Sequence, residues 1–412
     1  MSQPSAMRVP HPWAYMVLFL PFGMTSGYVV VTLAYLLTKA GASVEAVAAL
    51  AAVSILPSTW KVLWAPLIDT TLTAKRWYMI SVAVTAAAVL ATAFLPYRVD
   101  MLPVFTAAAF AIGFTVTFAA MSVERLMAHA TAEHQKGRAG GWSQAGNIGG
   151  QGLGGGAALW IAQHSGVSWL AGAALALACL ASALPLLGVH EPAPAADARR
   201  YLRILQDSAI DLLALVRTRL GVMACFICLL PLGSGAAQNL WAAIAGDWGA
   251  GADEVALVGG VLSGVVCVAG AIFGGYVCDR VGRKRGYVVF GLVSAATALV
   301  MAAGPRTPLA FMALATLYNL VIGLVYGGFS AVTLEAIGKG AAATKYNLVA
   351  SLSNIPLLLM TLADGWAHAR WGSSGMLVFE AAIGVTAATV YGVTAYATRG
   401  LTWPARGRPK PA

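Results

Sequence analysis

Glu124, Asp364 and Glu380 are among the few acidic residues that stand within long apolar stretches of this sequence, where a charged side chain is rare. A charge near the centre of a lipid bilayer costs roughly 2.5–3.5 kcal/mol on insertion scales, so ionisable residues kept there commonly mark ion or proton pathways. Because all three lie toward the ends of their stretches, ion pairing or extension of the side chain to the surface is the alternative. We predict them as candidates for coupling a proton to solute movement, and facilitated diffusion stays open.

Two sets of amide and hydroxyl side chains could bind a polar solute. In each set the spacing is i, i+3 or i+4, and i+7, which puts the members on one helical face. The sets are Gln144, Asn147 and Gln151, and Asn347, Ser351 and Asn354. We expect both faces to border a central cavity, with hydrogen bonding between helices as the alternative.

Composition places these residues in a membrane protein. Of the 412 residues, 59% are hydrophobic and only 10% are charged, whereas soluble domains have roughly 25% charged residues. The mean hydropathy is +0.75, and apolar runs long enough to cross a bilayer recur along the chain. These values exclude a soluble enzyme, a nucleic-acid-binding protein and a secreted disulfide-stabilised domain. The net charge of +10 is then a matter of topology, because basic residues collect on the cytoplasmic side.

The sequence has no residue pattern typical of an enzyme or a metal site. Its six histidines are scattered. The glycine string at 149–156 lacks the preceding strand and the Gly-Lys-Ser/Thr ending of a phosphate-binding loop, so we interpret it as a surface for close helix packing. We predict that the protein is not an enzyme and carries no metal or cofactor.

Twelve apolar stretches are separated by polar or Gly/Pro-rich segments. Continuous apolar runs of this length satisfy their backbone in lipid only as helices, so we predict an all-α membrane protein. The twelve predicted transmembrane helices are 13–37, 45–66, 77–96, 101–127, 139–163, 166–189, 219–246, 253–277, 286–304, 308–336, 343–369 and 375–398. If both termini are cytoplasmic, 21 of the 26 basic residues lie in cytoplasmic segments. This bias predicts that orientation in a bacterial inner membrane.

The helices group into two bundles of six. The predicted regions are a cytoplasmic N-terminus (1–12), an N-terminal bundle (13–189), a linker (190–218), a C-terminal bundle (219–398) and a basic cytoplasmic tail (399–412). In the linker, a Pro/Ala-rich start precedes a segment with one apolar and one charged helical face. We interpret that segment as an amphipathic helix on the cytoplasmic membrane surface.

The two bundles carry traces of an internal repeat. LPFG at 20–23 and LPLG at 230–233 match at an offset of 210 residues, and Asp69 matches Asp279 at the same offset. Glu124 matches Glu335 at an offset of 211. Repeated six-helix units of this kind predict two bundles related by a pseudo-two-fold axis, in parallel repeat.

The loop after the predicted eighth helix reads GGYVCDRVGRKRG (274–286). It resembles the signature that major facilitator transporters carry after their second and eighth helices. That resemblance implies a gate in which Asp279, Arg280 and Arg283 change partners between two conformations, with topogenic charge alone as the alternative. The first-half copy, APLIDTTLTAKR (65–76), keeps Asp69.

Three further segments resemble one branch of this superfamily. They are ASVEAVAALAAVSILPSTWKVLWAPLIDT (42–70), GRAGGWSQAGNIGGQGLGGGAALWIA (137–162) and AATKYNLVASLSN (342–354). The chain is similar here to the anhydromuropeptide permeases of the AmpG type, which are related to acetyl-coenzyme A transporters and to a group of siderophore importers.

The resemblance also implies which helices line the solute cavity, namely the first, fourth, seventh and tenth. Their neutral hydrogen-bonding and aromatic residues complete the predicted solute-binding set: Tyr28, Thr32, Gln238, Asn239, Tyr318 and Asn319. The expected function is secondary active transport of a polar, muropeptide-like organic solute, coupled to protons, and import of a ferric siderophore is the alternative. The expected partners are the solute, the bilayer and protons, without nucleic acid, and the expected state is a monomer.

Overall fold

The computed structural model describes residues 11, 13–130, 136–167, 169–189, 191, 219–337 and 342–397, together with a few residues of the linker. Every regular element in these ranges is helical, as the all-α prediction requires. Most of the linker 190–218 lies outside the described residues, and so do nearly all of 1–12 and all of 398–412. The amphipathic linker helix and the domain boundaries therefore stay predictions.

Four long helices begin the chain. They are α1 (Trp13–Lys39), α2 (Val44–Thr70), α3 (Ala74–Phe94) and α4 (Leu102–Ala130). Hydroxyl side chains fix two of their starts, because Ser43 accepts a hydrogen bond from the Ala46 N–H and Thr73 accepts one from the Arg76 N–H, each at 3.2 Å. Such caps satisfy N–H groups that a helix leaves unpaired at its first turn.

The fifth and sixth helices complete the first half. α5 runs from Lys136–Gly152 through a π-helical turn at Leu153–Ala157 into Ala158–His164, and α6 spans Trp169–Ala181. The π turn coincides with consecutive glycines. Because they have no side chains, the helix can accommodate the one extra residue of a π turn here. A similar π turn interrupts α1 at Tyr28–Leu33.

The seventh predicted helix, 219–246, is not continuous, and this prediction was wrong. α7 spans Arg219–Leu229, after which the chain is irregular until a 3₁₀ turn begins at Ala236. Short helical turns then continue to Trp248. Pro231 lacks an N–H, and Gly233 and Gly235 take positive φ angles of 61° and 71°, so this stretch leaves the α-helical conformation. We call 236–248 the α7 extension.

The remaining helices are long. α8 spans Ala252–Val281, α9 Arg283–Ala303 and α10 Pro308–Ile337. The helical range Ala342–Ala397 contains a kink at Gly372, where φ is 64° and ψ is −172°. We number the part before the kink α11 (342–371) and the part after it α12 (373–397), close to the two separate helices that the sequence predicts.

Nine helical ranges in the described part of the chain are long and apolar enough to cross a membrane. One of them contains both α11 and α12. The glycine-rich α5 and the interrupted α7 are not among the nine, since neither offers a long, uninterrupted apolar helix. The protein is thus a multi-pass membrane protein, and its described helices are consistent with the predicted twelve.

Glycines on α1 and α5 bring these two helices into backbone contact. A Cβ on Gly154 would lie only 1.7 Å from the Met24 carbonyl oxygen, and one on Gly27 would lie 2.0 Å from the Gln151 carbonyl oxygen. No side chain fits such gaps, so the glycine string packs helices as predicted. Thr32 adds hydrogen bonds of 3.0 Å to the Gly154 and Gly155 carbonyl oxygens.

The two halves meet along two helix pairs. Between α5 and α8, a Cβ on Gly156 would lie 2.5 Å from the Ala256 carbonyl oxygen, and Gly152 approaches Gly260 in the same way. Between α2 and α11, Gly365 packs against Ala48. At these glycines the helices of the two bundles approach each other closely.

The halves are joined most firmly at the predicted outer end. The large apolar cluster of the first half extends into the second half at this end, where Leu37 and Val47 belong to the same cluster as Ile244 and Val255. Toward the predicted cytoplasmic end, buried residues of the second half form a separate cluster that includes Ile227 and Phe290. The described conformation is therefore closed at the predicted outer end.

We expect the substitution Gly156→Ala to destabilise the protein, because its Cβ would collide with the backbone of α8. Overpacking of this kind costs typically about 1–3 kcal/mol. Gly149→Ala on the same helix is the matched control, since nothing lies within 4 Å of a Cβ there. Thermal unfolding in detergent should show a lower melting temperature for Gly156→Ala alone; equal melting temperatures would contradict the packing described.

Candidate functional site

A cavity lies between the two halves of the molecule. Residues of α1, α5, the α7 extension, α8 and α10 line it: Val30, Val31, Gln151, Gln238, Trp241, Ala242, Val255, Val258, Gly259, Ser263, Phe311 and Asn319. No charged side chain belongs to this lining. The cavity volume of about 20 Å³ has room for roughly one or two water molecules, so the cavity is nearly collapsed in this conformation.

Two residues of the lining have polar atoms without a partner. Asn319 is 1% exposed, and within the described part of the chain neither its amide nitrogen nor its amide oxygen has a hydrogen-bond partner. The indole N–H of Trp241 is likewise buried and unpaired there. A buried polar group without a partner costs about 1–3 kcal/mol, so these atoms are poised to bind a molecule that enters the cavity.

The irregular stretch before the α7 extension positions this part of the site. Irregular backbone at membrane depth occurs where it is buried in protein or lines a cavity. Here it is followed by the 3₁₀ turn Ala236–Leu240, from which Gln238 reaches the cavity. The helical turn that begins at Trp241 adds the indole ring.

Two carboxyl groups are buried beside the cavity. Asp364 on α11 is 0% exposed and Glu380 on α12 is 8% exposed, and each lies eight residues from the kink at Gly372. The two groups are close enough to interact electrostatically. Within the described residues, no Lys, Arg or His forms an ion pair with either one.

Only one oxygen of the carboxyl pair (Asp364 and Glu380) has hydrogen-bond partners. Glu380 Oε1 accepts from the Tyr318 hydroxyl at 2.6 Å and from the Ala237 N–H at 3.4 Å. Glu380 Oε2 and both oxygens of Asp364 have no partner among the described groups. Burial of a lone charge in an apolar interior is strongly unfavourable, so this arrangement is unsuited to two permanently ionised carboxylates.

Two other polar side chains near the pair, Asn239 and His368, face groups other than the two carboxyls. Asn239 donates to the Thr361 hydroxyl at 3.0 Å, one helical turn before Asp364. His368, one turn after Asp364, has its Nε2 3.6 Å from Asp247 Oδ2. Ser373 also donates to this Asp247 carboxylate.

The cavity contains three members of the predicted solute-binding set: Gln151, Gln238 and Asn319. Tyr318 and Asn239 lie behind this lining and bond to Glu380 and Thr361. The structure does not bring Tyr28 or Thr32 to the cavity. Tyr28 is buried against Thr92 at 3.0 Å, and Thr32 bonds to α5.

The predicted polar faces of α5 and α11 are only partly on the cavity. Gln144 is exposed, and the Asn147 amide donates to it at 3.4 Å. Asn354 donates to the Ala350 carbonyl at 3.2 Å and to the Ser58 carbonyl of α2 at 3.5 Å, which supports the helix-bonding alternative there. The Asn347 side chain lies outside the described residues.

Glu124 differs from the carboxyl pair because a cation faces it. Lys61 Nζ lies 3.1 Å from Glu124 Oε1, and both side chains are mostly buried. Next to Glu124, Arg125 donates to the Ile68 and Leu72 carbonyl oxygens and lies 3.8 Å from Glu191. Glu191 in turn accepts from the N–H groups that begin α3. This ion-paired network ties the start of the linker to α2, α3 and α4.

The predicted gate residues of the second half form local contacts. Asp279 Oδ1 lies 3.5 Å from Arg283 Nε, and both side chains are exposed. Arg280 stacks over the Tyr276 ring at 3.9 Å. The side chain of Asp69 lies outside the described residues, so the gate stays a prediction.

An ion pair also joins the halves at the predicted outer end. His164 of α5 lies 3.6 Å from Asp253 at the start of α8, and both side chains are solvent-exposed. Exposed pairs of this kind contribute about 0–1 kcal/mol. The outer closure therefore depends on the apolar cluster far more than on this bridge.

Sequence reasoning missed Ser263, a cavity residue on α8. It also gave no sign that Tyr318 bonds to Glu380, because the two residues are 62 positions apart. The LPLGSG run (230–235) directly follows α7. Its proline and two glycines could have revealed the break.

Comparisons with known proteins agree with this architecture. The family model of the Major Facilitator Superfamily matches residues 13–236, which is more than half of the chain. Solved structures of similar fold include a D-xylose-proton symporter (16% identity, TM-score 0.69, 92% of this chain and 96% of that chain). A second is the nucleoside transporter NupG (15% identity, TM-score 0.68, 92% of this chain and 98% of that chain). A third is a POT family transporter in complex with a thioalcohol-conjugated peptide (10% identity, TM-score 0.71, 94% of this chain and 96% of that chain).

These structural likenesses concern the fold, since all three identities are low. The family match covers the first half and the beginning of the second, and the structural matches cover more than nine-tenths of the chain. The protein therefore belongs to the Major Facilitator Superfamily, a superfamily of membrane transporters rather than enzymes.

Proposed function

We propose that this protein is a proton-coupled secondary transporter that moves a polar organic solute across the inner membrane by alternating access. The single observation that carries the proposal is the buried carboxyl pair, which no Lys, Arg or His of the described residues pairs with, beside an uncharged cavity in which Asn319 and Trp241 have unpaired polar atoms. Such a pair favours holding a proton over two negative charges. Uptake and release of that proton would supply the driving force.

The cavity lining is suited to bind an uncharged part of the solute. Its polar groups are amides, an indole N–H and a hydroxyl, which pair with hydroxyl and amide groups of a ligand. Trp241 adds an aromatic surface against which a ring can pack. A muropeptide-like solute, whose sugar portion has this chemistry, is our first candidate, and a ferric siderophore is the second.

The described conformation supports alternating access. Apolar contacts close the predicted outer end, and small residues bring α5 close to α8 and α2 close to α11 where the halves would rock. The gate role of Asp69, Asp279, Arg280 and Arg283, both cytoplasmic termini and the monomeric state belong to the same proposal.

The coupling role of the carboxyl pair predicts loss of accumulation in Glu380→Gln and Asp364→Asn. Uptake of labelled anhydromuropeptide, and separately of a ferric siderophore, is measured in proteoliposomes with a proton gradient and a protonophore control. Each variant should fail to concentrate the solute yet still exchange it across the membrane, because the neutral side chain mimics the permanently protonated state.

Glu124→Gln is the matched control, since its carboxylate is paired with Lys61. It should keep gradient-driven accumulation, whatever its effect on turnover. Wild-type accumulation in Glu380→Gln would overturn the coupling assignment. Accumulation by the wild-type protein that the protonophore leaves intact would overturn proton coupling altogether.

The binding role of Asn319 predicts a weaker apparent affinity in Asn319→Leu without loss of stability. The apparent KM for the solute that is transported should rise roughly two-fold to thirteen-fold, since a hydrogen bond is worth about 0.5–1.5 kcal/mol. Removing unpaired buried polar atoms should leave the melting temperature equal or higher. Thr389→Val, at an exposed hydroxyl bonded to its own helix, is the control. An unchanged KM in Asn319→Leu would remove Asn319 from the site.

A further inference from the structure

We infer that the hydroxyl group of Tyr318 transmits the protonation state of Glu380 to the solute cavity. The inference rests on the proposed function, because it takes the carboxyl pair as the proton site. It adds a positioning residue that connects the proton site to the binding site.

Tyr318 touches both sites at once. Its hydroxyl donates to Glu380 Oε1 at 2.6 Å, and its ring meets the Trp241 ring at 5.1 Å with the two planes 88° apart. The ring is 0% exposed. In a close-packed interior, a displacement at one end of such a ring is passed to its neighbours.

Two pairs of residues, each adjacent in the sequence, connect Glu380 to the cavity. Tyr318 directly precedes Asn319, and Ala237 directly precedes Gln238, so each group that donates to Glu380 Oε1 is next to a cavity-lining amide. Trp241, another residue of the lining with a polar atom, packs on Tyr318. A change at one oxygen atom thus reaches the polar lining from both α10 and the α7 extension.

Protonation changes the bond that holds Tyr318. While Glu380 is ionised, the bond from the Tyr318 hydroxyl is charge-assisted and short, and such bonds are roughly twice as strong as neutral ones. A proton that binds to the unpartnered Oε2 neutralises the carboxylate and weakens the pull on the hydroxyl. The Ser294 hydroxyl of α9 also faces the Tyr318 hydroxyl and offers it another partner. Tyr318 can then shift, and Trp241 and Asn319 shift with it.

Few other groups near Glu380 could carry the effect of its protonation to the cavity. Among the described residues, the titratable groups that interact with it are Asp364 of α11 and Tyr318 of α10. The α7 extension contributes the Ala237 N–H. His368 is one turn beyond Asp364 and faces Asp247 at the predicted outer end, so the substitution His368→Gln serves as the control for this neighbour.

A pH titration of Trp241 tests this inference without any solute. The full-length protein in detergent is labelled with 5-fluorotryptophan, and the Trp241 fluorine resonance is assigned by its loss in Trp241→Phe. In the wild-type protein and in the control His368→Gln, the resonance should move as the carboxyl pair titrates. In Tyr318→Phe, which keeps the ring and removes only the hydroxyl, that movement should disappear. Glu380→Gln should remove it as well.

Thermal unfolding of Tyr318→Phe shows whether the variant is folded. Phenylalanine keeps the ring that contacts Trp241, which leucine would remove. A full Trp241 titration in folded Tyr318→Phe would overturn the inference. So would a wild-type Trp241 resonance that does not respond to pH. Either result leaves the proposed function to be decided by uptake in the Glu380 and Asp364 variants, so the two failures are distinguishable.

Discussion

Asp364 and Glu380 are buried with no ion-pairing Lys, Arg or His among the described residues, and this is the constraint on which the rest of the site depends. A lipid-facing bundle has little means to solvate a carboxylate, and the described structure gives the pair one hydroxyl and one backbone N–H. Glu124 shows the contrasting solution, because Lys61 neutralises it at 3.1 Å. The same chemical group therefore has two settings: in the first half it is ion-paired with Lys61, and in the second half it is the proton site that we propose.

The break in α7 connects this constraint to the cavity. A continuous helix would direct its backbone N–H groups along its own axis, whereas the turn at Ala236–Leu240 presents the Ala237 N–H to Glu380 and Gln238 to the cavity. Gly233 and Gly235 make this possible through their positive φ angles. Close glycine packing of α1 on α5 and of α5 on α8 then sets how near the two halves approach around the cavity.

Helices and their order could be predicted from the sequence because apolar length alone determines a membrane-spanning helix. The break after α7 is the exception, and its cause is local, because Pro231 and the two neighbouring glycines interrupt the helix. Hydropathy alone does not distinguish a broken helix from a bent one. Gln151, Gln238 and Asn319 were predicted as cavity residues, and all three line it. Tyr28 and Thr32 have the same chemistry but face other helices, since which side of a helix meets the cavity depends on tertiary packing. The contact of Tyr318 with Glu380 joins different helices and has no counterpart in local sequence.

The most direct test of the account is whether the buried carboxyl pair holds a proton that it can release. Infrared difference spectroscopy on the purified protein, comparing acidic with alkaline conditions, detects the carbonyl stretch of a protonated carboxyl group in an apolar setting. The account predicts such a band in the wild-type protein and its absence in the double variant Asp364→Asn with Glu380→Gln, while Glu124→Gln keeps it. The same band in the double variant, or none in the wild-type protein at any pH at which it is folded, would contradict the account.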